Sequence, residues 1–435
     1  MRRANERKGS YSESHLWQVR AVLLLLGWMA PLLLAGEGSA SLPESLTTDQ
    51  KILQLEAEIA RRPETVALQN GLAWAYIQKG RETGEAAYFT RAERLLEKPG
   101  AESAPDPERL GLRAWIALFK HEFNTAALWA EKAIAAQPNG FFQYGILSDA
   151  FLEMGDDAKA VAYAQKMIDL KPDQGSYSRA AHLRSLHGDL QGAIALWKAA
   201  IRAGASYPEN TAWCRAELGE LYFNIGKLDE AEAAYRASLE TFPGYHRALA
   251  GLGKIRTAQR RWEEGVTFYR EAIDRIPYPV YFASLGDLYM EMGKEAEARK
   301  AYLRVEQIAR LNQASQLLYD RDLALFYADH DRHLDDAVRI AERELERRRD
   351  LYTYDILGWV YYKSGRYLEA ARAMKEAMRL GTQDPRILFH AGMIARAAGK
   401  EKEGRRLLAR ALALNPEFHP LYARSAREAL RTASF

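Results

Sequence analysis

The chain has 435 residues, 48% of them apolar and 27% charged, the balance of an ordinary folded protein. Its 61 Lys/Arg against 58 Asp/Glu leave a net charge of +3, and residues 1–40 supply +2 of it. The rest is nearly neutral, which removes the counterion-release drive toward nucleic acid, and the single cysteine, Cys214, excludes an intramolecular disulfide.

Residues 1–20 are basic and polar, and Ala21–Ala35 (AVLLLLGWMAPLLLA) run without a charge. Small residues Gly38 and Ala40 follow, completing the pattern of a secretory signal. As a helix the apolar run would span about 22 Å, short of the roughly 30 Å hydrocarbon layer. Residues 1–40 are therefore expected to be a cleaved signal peptide or, uncleaved, a membrane anchor through residues 21–35. Either way the remainder is expected to be exported, periplasmic or secreted. Residues 41–62 read as a linker and a capping helix from about Gln50 to Arg61, with Thr47, Thr48 and Asp49 offering its N-cap.

From Pro63 to about residue 417 one two-helix unit recurs, clearest at Trp213–Pro243. Leu218, Leu221, Tyr222 and Ile225 fall at helical spacing, Gly226-Lys227 turns the chain, and Leu228, Ala231, Ala234, Tyr235 and Leu239 continue it. Gly219 lies mid-helix, where glycine costs about 1 kcal/mol relative to alanine. Such a cost implies a close neighbour, expected to be the second helix at Ala231 and Ala234. Small residues mark the same phase at Ala126, Ala160, Ala193, Ala231, Gly265, Ala298, Ala337, Ala370 and Gly404. With an earlier unit near residues 66–96, whose turn is lengthened, they make ten units. Insertions near 203–210 and 305–322 are expected to bend or divide the array, and residues 418–435 to cap it with an amphipathic helix. The predicted fold is an all-α superhelical solenoid.

The unit resembles the tetratricopeptide repeat. Its small position 8 falls at Ala114, Ser148, Gly219, Gly253, Gly286, Gly358 and Gly392. A Leu-Gly pair precedes or includes it four times, position 11 is often Tyr, and position 24 is aromatic at Trp197, Tyr235, Tyr269 and Tyr302. The unit near 315–345 lacks the Leu-Gly pair. The resemblance implies that the first helices line a concave groove. Carried onto this chain, the groove positions give Trp74, Trp115, Phe119, Trp213, Glu220, Phe223, Arg247, Lys254, Trp359, Tyr362, Lys363 and Arg386. Aromatic anchors beside arginine are the composition of interaction hot spots. The family's carboxylate-binding clamp is not supported, because only Asn70 among its positions fits.

Catalytic patterns are missing. HEFNT at His121 ends in Thr125 and lacks the second zinc histidine, and GLGKIR at Gly251 fails both phosphate-loop patterns. His330 and His333 read as a solvated turn, and Cys214 as a small buried hydrophobe. The sequence therefore predicts a non-enzymatic interaction scaffold or adaptor of the cell envelope, with no cofactor and with a protein or peptide in the groove. A glycan-binding solenoid and a membrane-anchored accessory subunit of an enzyme complex are the alternatives.

Overall fold

Helices form because apolar residues recur at helical spacing between Gly, Pro and Asp punctuation, and twenty-two of them account for the described residues, with no strand. The computed structural model describes residues 46–97, 106–314 and 320–432. The leader read in residues 1–40 lies outside them. No described helix is long and apolar enough to cross a membrane.

Helix α1 (Thr48–Arg61) opens with a capping box between Thr47 and Gln50. Ten antiparallel pairs follow. The first five are α2 (Val66–Thr83) with α3 (Ala86–Glu97), α4 (Pro107–Phe119) with α5 (Phe123–Ala136), α6 (Phe141–Glu153) with α7 (Asp157–Leu170), α8 (Gln174–Leu186) with α9 (Leu190–Ala203), and α10 (Pro208–Asn224) with α11 (Leu228–Thr241). The others are α12 (His246–Ala258) with α13 (Trp262–Arg275), α14 (Pro279–Glu291) with α15 (Glu295–Ala314), α16 (Asp320–Asp329) with α17 (Leu334–Arg347), α18 (Leu351–Lys363) with α19 (Tyr367–Ala377), and α20 (Pro385–Ala397) with α21 (Glu401–Leu414). α22 (Pro420–Arg431) ends the array. Both the repeat count and the solenoid match the sequence reading.

The close neighbour of the mid-helix glycines is the second helix, as expected, and at three of them it is an aromatic ring rather than a small residue. A Cβ on Gly219 would stand 2.8 Å from the ring of Tyr235, not against Ala231 or Ala234. Gly286 faces Tyr302 and Gly253 faces Tyr269 in the same way. Each of these three glycines opens a window for the aromatic ring of its own second helix, and at Gly219 and Gly286 the ring's hydroxyl passes through to a carboxylate. Tyr235 donates to Glu220 at 3.0 Å, and Tyr302 donates to Asp287 at 2.8 Å.

The unit near 315–345 is a true pair. Its turn carries one residue more, with positive φ at both Asp331 and His333. Allowing for it, buried Leu323 and Ala324 stand where other units have Leu-Gly.

The insertions do not divide the array. The 305–322 stretch continues α15 as helix through Ala314. The 203–210 stretch starts α10 early and presents Glu209, which accepts from Arg81 at 3.1 Å, while Lys51 lies 4.1 Å over the Tyr207 ring. It therefore ties the array's first helices to its middle. Ala40–Phe435 cluster as one compact unit, so neither insertion divides the array.

Successive superhelical turns touch. Asn415 Nδ2 donates to the Phe223 carbonyl at 2.6 Å across 192 residues, a span of between five and six repeats. Arg349 N donates to the Glu153 carbonyl at 2.7 Å, and Arg379 Nε to Asp157 at 2.7 Å. Gly155, Gly188 and Gly226 turn the chain with positive φ, and a Cβ on each would run into the backbone of the next superhelical turn at Arg349, Gly381 and Leu414.

Candidate partner-binding site

The sequence-predicted groove residues divide into two groups. Those in the middle and C-terminal repeats are already engaged. Arg247 pairs with Glu217 at 3.2 Å, Lys254 with Glu220 at 2.7 Å, Lys363 with Asp331 at 2.7 Å, and Arg386 approaches Asp355 at 3.7 Å. Each cation thus meets a carboxylate of the neighbouring repeat. Burial alone would raise the Glu220 carboxyl, but Lys254 and the Tyr235 hydroxyl hold it below its ordinary value. Half-exposed pairs of this kind add at most about 1 kcal/mol to stability. Their larger effect is to offset these charges locally along the groove.

The aromatics there are packing residues. Phe223 is 3% exposed and Trp359 4% exposed, with the Trp359 indole donating to Asp329 at 2.8 Å. Tyr362 stacks on Trp359 at 4.9 Å, and Trp213 meets the Trp197 ring of the outer layer edge-on at 5.5 Å. Phe119 is exposed, but it stacks on Phe89 of the outer helix α3 at 4.0 Å and so turns away from the groove. For Phe223, Trp359 and Phe119 the groove assignment is therefore corrected. Repeat phase predicted which helix they ride on, while local packing decided which way they face.

The last helix removes more of this surface. α22 covers the final pair as predicted, with Arg396 and Arg405 donating to its carbonyls at Ala429 and Leu430, both at 2.8 Å. It also crosses the inner face of the last four first helices. His419 lies 3.7 Å from Asp287 and Arg424 pairs with Glu291 at 2.7 Å, both on α14. Tyr422 donates to Asp329 of α16, meets Trp359 of α18 edge-on, and stacks on Phe389 of α20 at 4.7 Å. His330, read as part of a solvated turn, instead contacts Asp287 at 2.8 Å through Nε2. Among the described residues no group of three or more His, Cys, Asp or Glu is placed to hold a metal ion. Cys214 is fully buried, and burial pushes its thiol well above the ordinary value, which leaves it inert.

The N-terminal repeats remain open. Trp74 of α2, Trp115 of α4 and Phe142 of α6 form one half-buried cluster, with centroids 4.8 Å (Trp74–Trp115), 5.1 Å (Trp74–Phe142) and 5.5 Å (Trp115–Phe142) apart. Beside it lies a cavity of about 370 Å³, lined by Trp74, Phe141, Phe142, Gln143, Glu108 and the turn Gln137–Gly140. Glu108 stands at the rim, where burial raises its carboxyl above the ordinary value and hydrogen bonds from Asn70 and Trp74 oppose that rise. Asn70 is buried and donates to Asp106 at 2.6 Å, so it is not free to grip a ligand carboxylate. Glu108 and Phe142 both occupy repeat position 2, the position of Trp213, Arg247 and Arg386. The phase therefore contained the signal for them. Gln143 had no such signal, because its place depends on the tight turn before α6.

The family model of the tetratricopeptide repeat matches residues 52–102, 216–278 and 357–417, and a second model of the same repeat matches 144–174 and 281–310. Together they cover more than half of the chain. The chain belongs to the tetratricopeptide repeat family. A TPR repeat-containing protein of Bacillus subtilis (strain 168), YpiA, is 22% identical over 295 residues, which are 65% of this chain and 57% of that protein. The chain thus matches little more than half the length of that relative. Among solved structures, the human IFIT1 dimer with m7Gppp-AAAA is similar with a TM-score of 0.49 at 15% identity, over 84% of this chain and 86% of its own. PilW, a widely conserved type IV pilus biogenesis factor, covers 49% of this chain and 98% of its own with a TM-score of 0.41 at 14% identity. Repeats of this kind suggest a protein-interaction scaffold.

Proposed function

We propose that this tetratricopeptide repeat chain is a non-catalytic scaffold of the cell envelope that binds a protein partner on the inner face of its first three repeats. One contrast carries the reading. Trp74, Trp115 and Phe142 keep a half-buried aromatic surface beside an open cavity, whereas α22 and a ladder of ion pairs occupy the corresponding face farther along. Half-buried aromatics grouped around a cavity are what an interface hot spot requires. Stacking on a sugar needs a flat exposed ring face. Trp74 and Trp115 instead lie 58° apart and cover one another, which favours protein over glycan.

The assignment to the envelope rests on the basic, apolar and small-residue order of residues 1–40. Fractionation of the native host, with the intact mass of the recovered chain, tests it. A cytosolic chain starting at residue 1 removes it. Binding is tested by affinity capture with the Trp74→Ala/Trp115→Ala variant beside the unmodified chain. The variant is expected to lose the partner while its helical circular dichroism stays unchanged. Equal capture by both chains rules out this face.

A further inference from the structure

Positive charge is unevenly placed along the chain. Residues 367–435 carry 13 Lys/Arg against 7 Asp/Glu, while residues 41–366 carry 43 against 48. Much of the excess gathers on the outer layer of the last two pairs. Helices α19 and α21 pack inward through small and aliphatic residues such as Ala370, Met374, Gly404 and Leu408. On the opposite side α19 presents Leu368, Arg372 and Lys375, and α21 presents Lys402, Arg406 and Arg410, all of them exposed. Arg410 also donates to Gln383, just past the end of α19, at 2.9 Å, which ties the two helices together.

These five cations are unpaired. The carboxylates around them are engaged elsewhere: Glu369 by Arg366 at 3.2 Å, Glu401 by Arg396 at 2.9 Å and Glu403 by Lys400 at 3.8 Å. Glu376 is the one carboxylate left on the two helices. Lys402, Arg406 and Arg410 recur every four residues, about 6 Å apart along the axis, and like charges at that spacing destabilise a helix. A surface of negative charge laid against them removes that repulsion.

Two observations favour a lipid surface over a polyanion. Arg372, Lys375, Lys402 and Arg406 make no side-chain hydrogen bond among the described residues, so they can follow mobile headgroups instead of reading one fixed ligand. Leu368, 71% exposed, begins the same face four residues before Arg372, and Tyr367 beside it is 44% exposed. Aliphatic and tyrosine side chains among cations suit the boundary between headgroups and acyl chains. Duplex nucleic acid offers no such layer to Leu368.

We propose that the outer face of α19 and α21 rests on an anionic phospholipid surface, with Arg372, Lys375, Lys402, Arg406 and Arg410 over the headgroups and Leu368 inserted between them. This face lies in the outer layer, whereas the Trp74 surface lies on the inner one, so the two readings stand or fall separately.

The test is sedimentation of the full chain with vesicles of phosphatidylcholine alone and of phosphatidylcholine and phosphatidylglycerol in equal parts. Residues 1–40 are common to every variant, so their contribution cancels. Arg372→Glu/Lys375→Glu/Lys402→Glu/Arg406→Glu is expected to weaken binding to the mixed vesicles at least about tenfold. The same number of reversals on other outer helices, Lys166→Glu/Lys198→Glu/Arg202→Glu/Lys300→Glu, is expected to change it by less than about threefold, because surface charge acts only within a Debye length. All eight positions are exposed, so both variants should keep the helical circular dichroism of the unmodified chain. Leu368→Ser, at unchanged charge, is expected to weaken binding at least about threefold. Equal losses from the two sets of reversals, or no preference of the unmodified chain for the mixed vesicles, overturns the proposal. Binding that follows the four cations but ignores Leu368 also overturns it and assigns the face to polyanions in general, in which case duplex DNA competes with the vesicles.

Discussion

Tyr235 shows how much one residue can decide in this fold. Its ring fills space that side chains on Gly219 and Gly251 would need, so two neighbouring repeats are cut to fit it. Overpacking at such a site costs about 1–3 kcal/mol. Gly253, 3.0 Å from the Tyr269 ring on the same construction, tests the idea. Gly253→Leu should lower the thermal midpoint while Lys402→Leu, on an exposed position, leaves it in place, and equal midpoints would refute the window. His246 supplies a pH test. It is buried among tyrosine rings with Nδ1 2.7 Å from the Tyr281 hydroxyl, and burial, helped by Arg247, lowers its pKa from 6.5 to about 3. The unfolded chain therefore binds the proton first. The stability from neutral His246 is complete above pH 6.5 and is lost as pH falls from 6.5 toward 3, by at most about 1.4 kcal/mol per unit. His246→Gln should flatten that part of the stability profile, measured by urea unfolding between pH 7.5 and 5. A slope unchanged by the substitution would show that the histidine is not buried neutral.

At the scale of elements, α22 does two jobs that its own sequence does not separate. Its amphipathic pattern predicts a cap, and a cap it is. Its position across α14, α16, α18 and α20 also closes the inner face where Trp359 would otherwise stand open. Tyr422 is the anchor, because Asp329 accepts from both its hydroxyl and the Trp359 indole. Tyr422→Phe leaves a half-satisfied carboxylate and should cost about 1–3 kcal/mol in thermal or urea unfolding. A change no larger than that of Lys402→Leu would mean that the carboxylate finds water instead. Trp359→Ala belongs to the same scale and is a stability variant, not a binding variant, since the ring is core.

For the whole molecule the decisive contacts are those between superhelical turns. A solenoid repeat touches only its neighbours in the simplest case. Here, however, residues 192 apart share a hydrogen bond, and Arg379 reaches Asp157 across 222. These contacts convert an open spring into a closed one. Arg379→Ala combined with Asn415→Ala should raise the radius of gyration in X-ray scattering without changing helical circular dichroism. Identical scattering curves would show that pitch is set within repeats alone. The stacked turns, the ion-pair ladder and α22 occupy positions of the inner face in later repeats, which is why the proposed partner face lies in the first three.

Repeat count, helix pairing and the requirement for glycine at position 8 were legible from the sequence, because each repeat carries its own local pattern and packs mainly on adjacent ones. Ala126 through Gly404 marked the phase without any knowledge of distant contacts. The facing of individual side chains was not legible. Phe119 and Trp115 ride the same helix, yet one stacks outward on Phe89 and the other joins Trp74 and Phe142. Repeat phase also nominated Arg247, Lys254, Lys363 and Arg386 as ligand contacts, and only the placement of carboxylates one repeat away showed them to be paired. Short-range periodicity fixes helices and their nearest neighbours. Superhelical pitch, the path of α22 and the cavity beside Trp74 depend on small angles summed over many repeats, which local spacing does not encode.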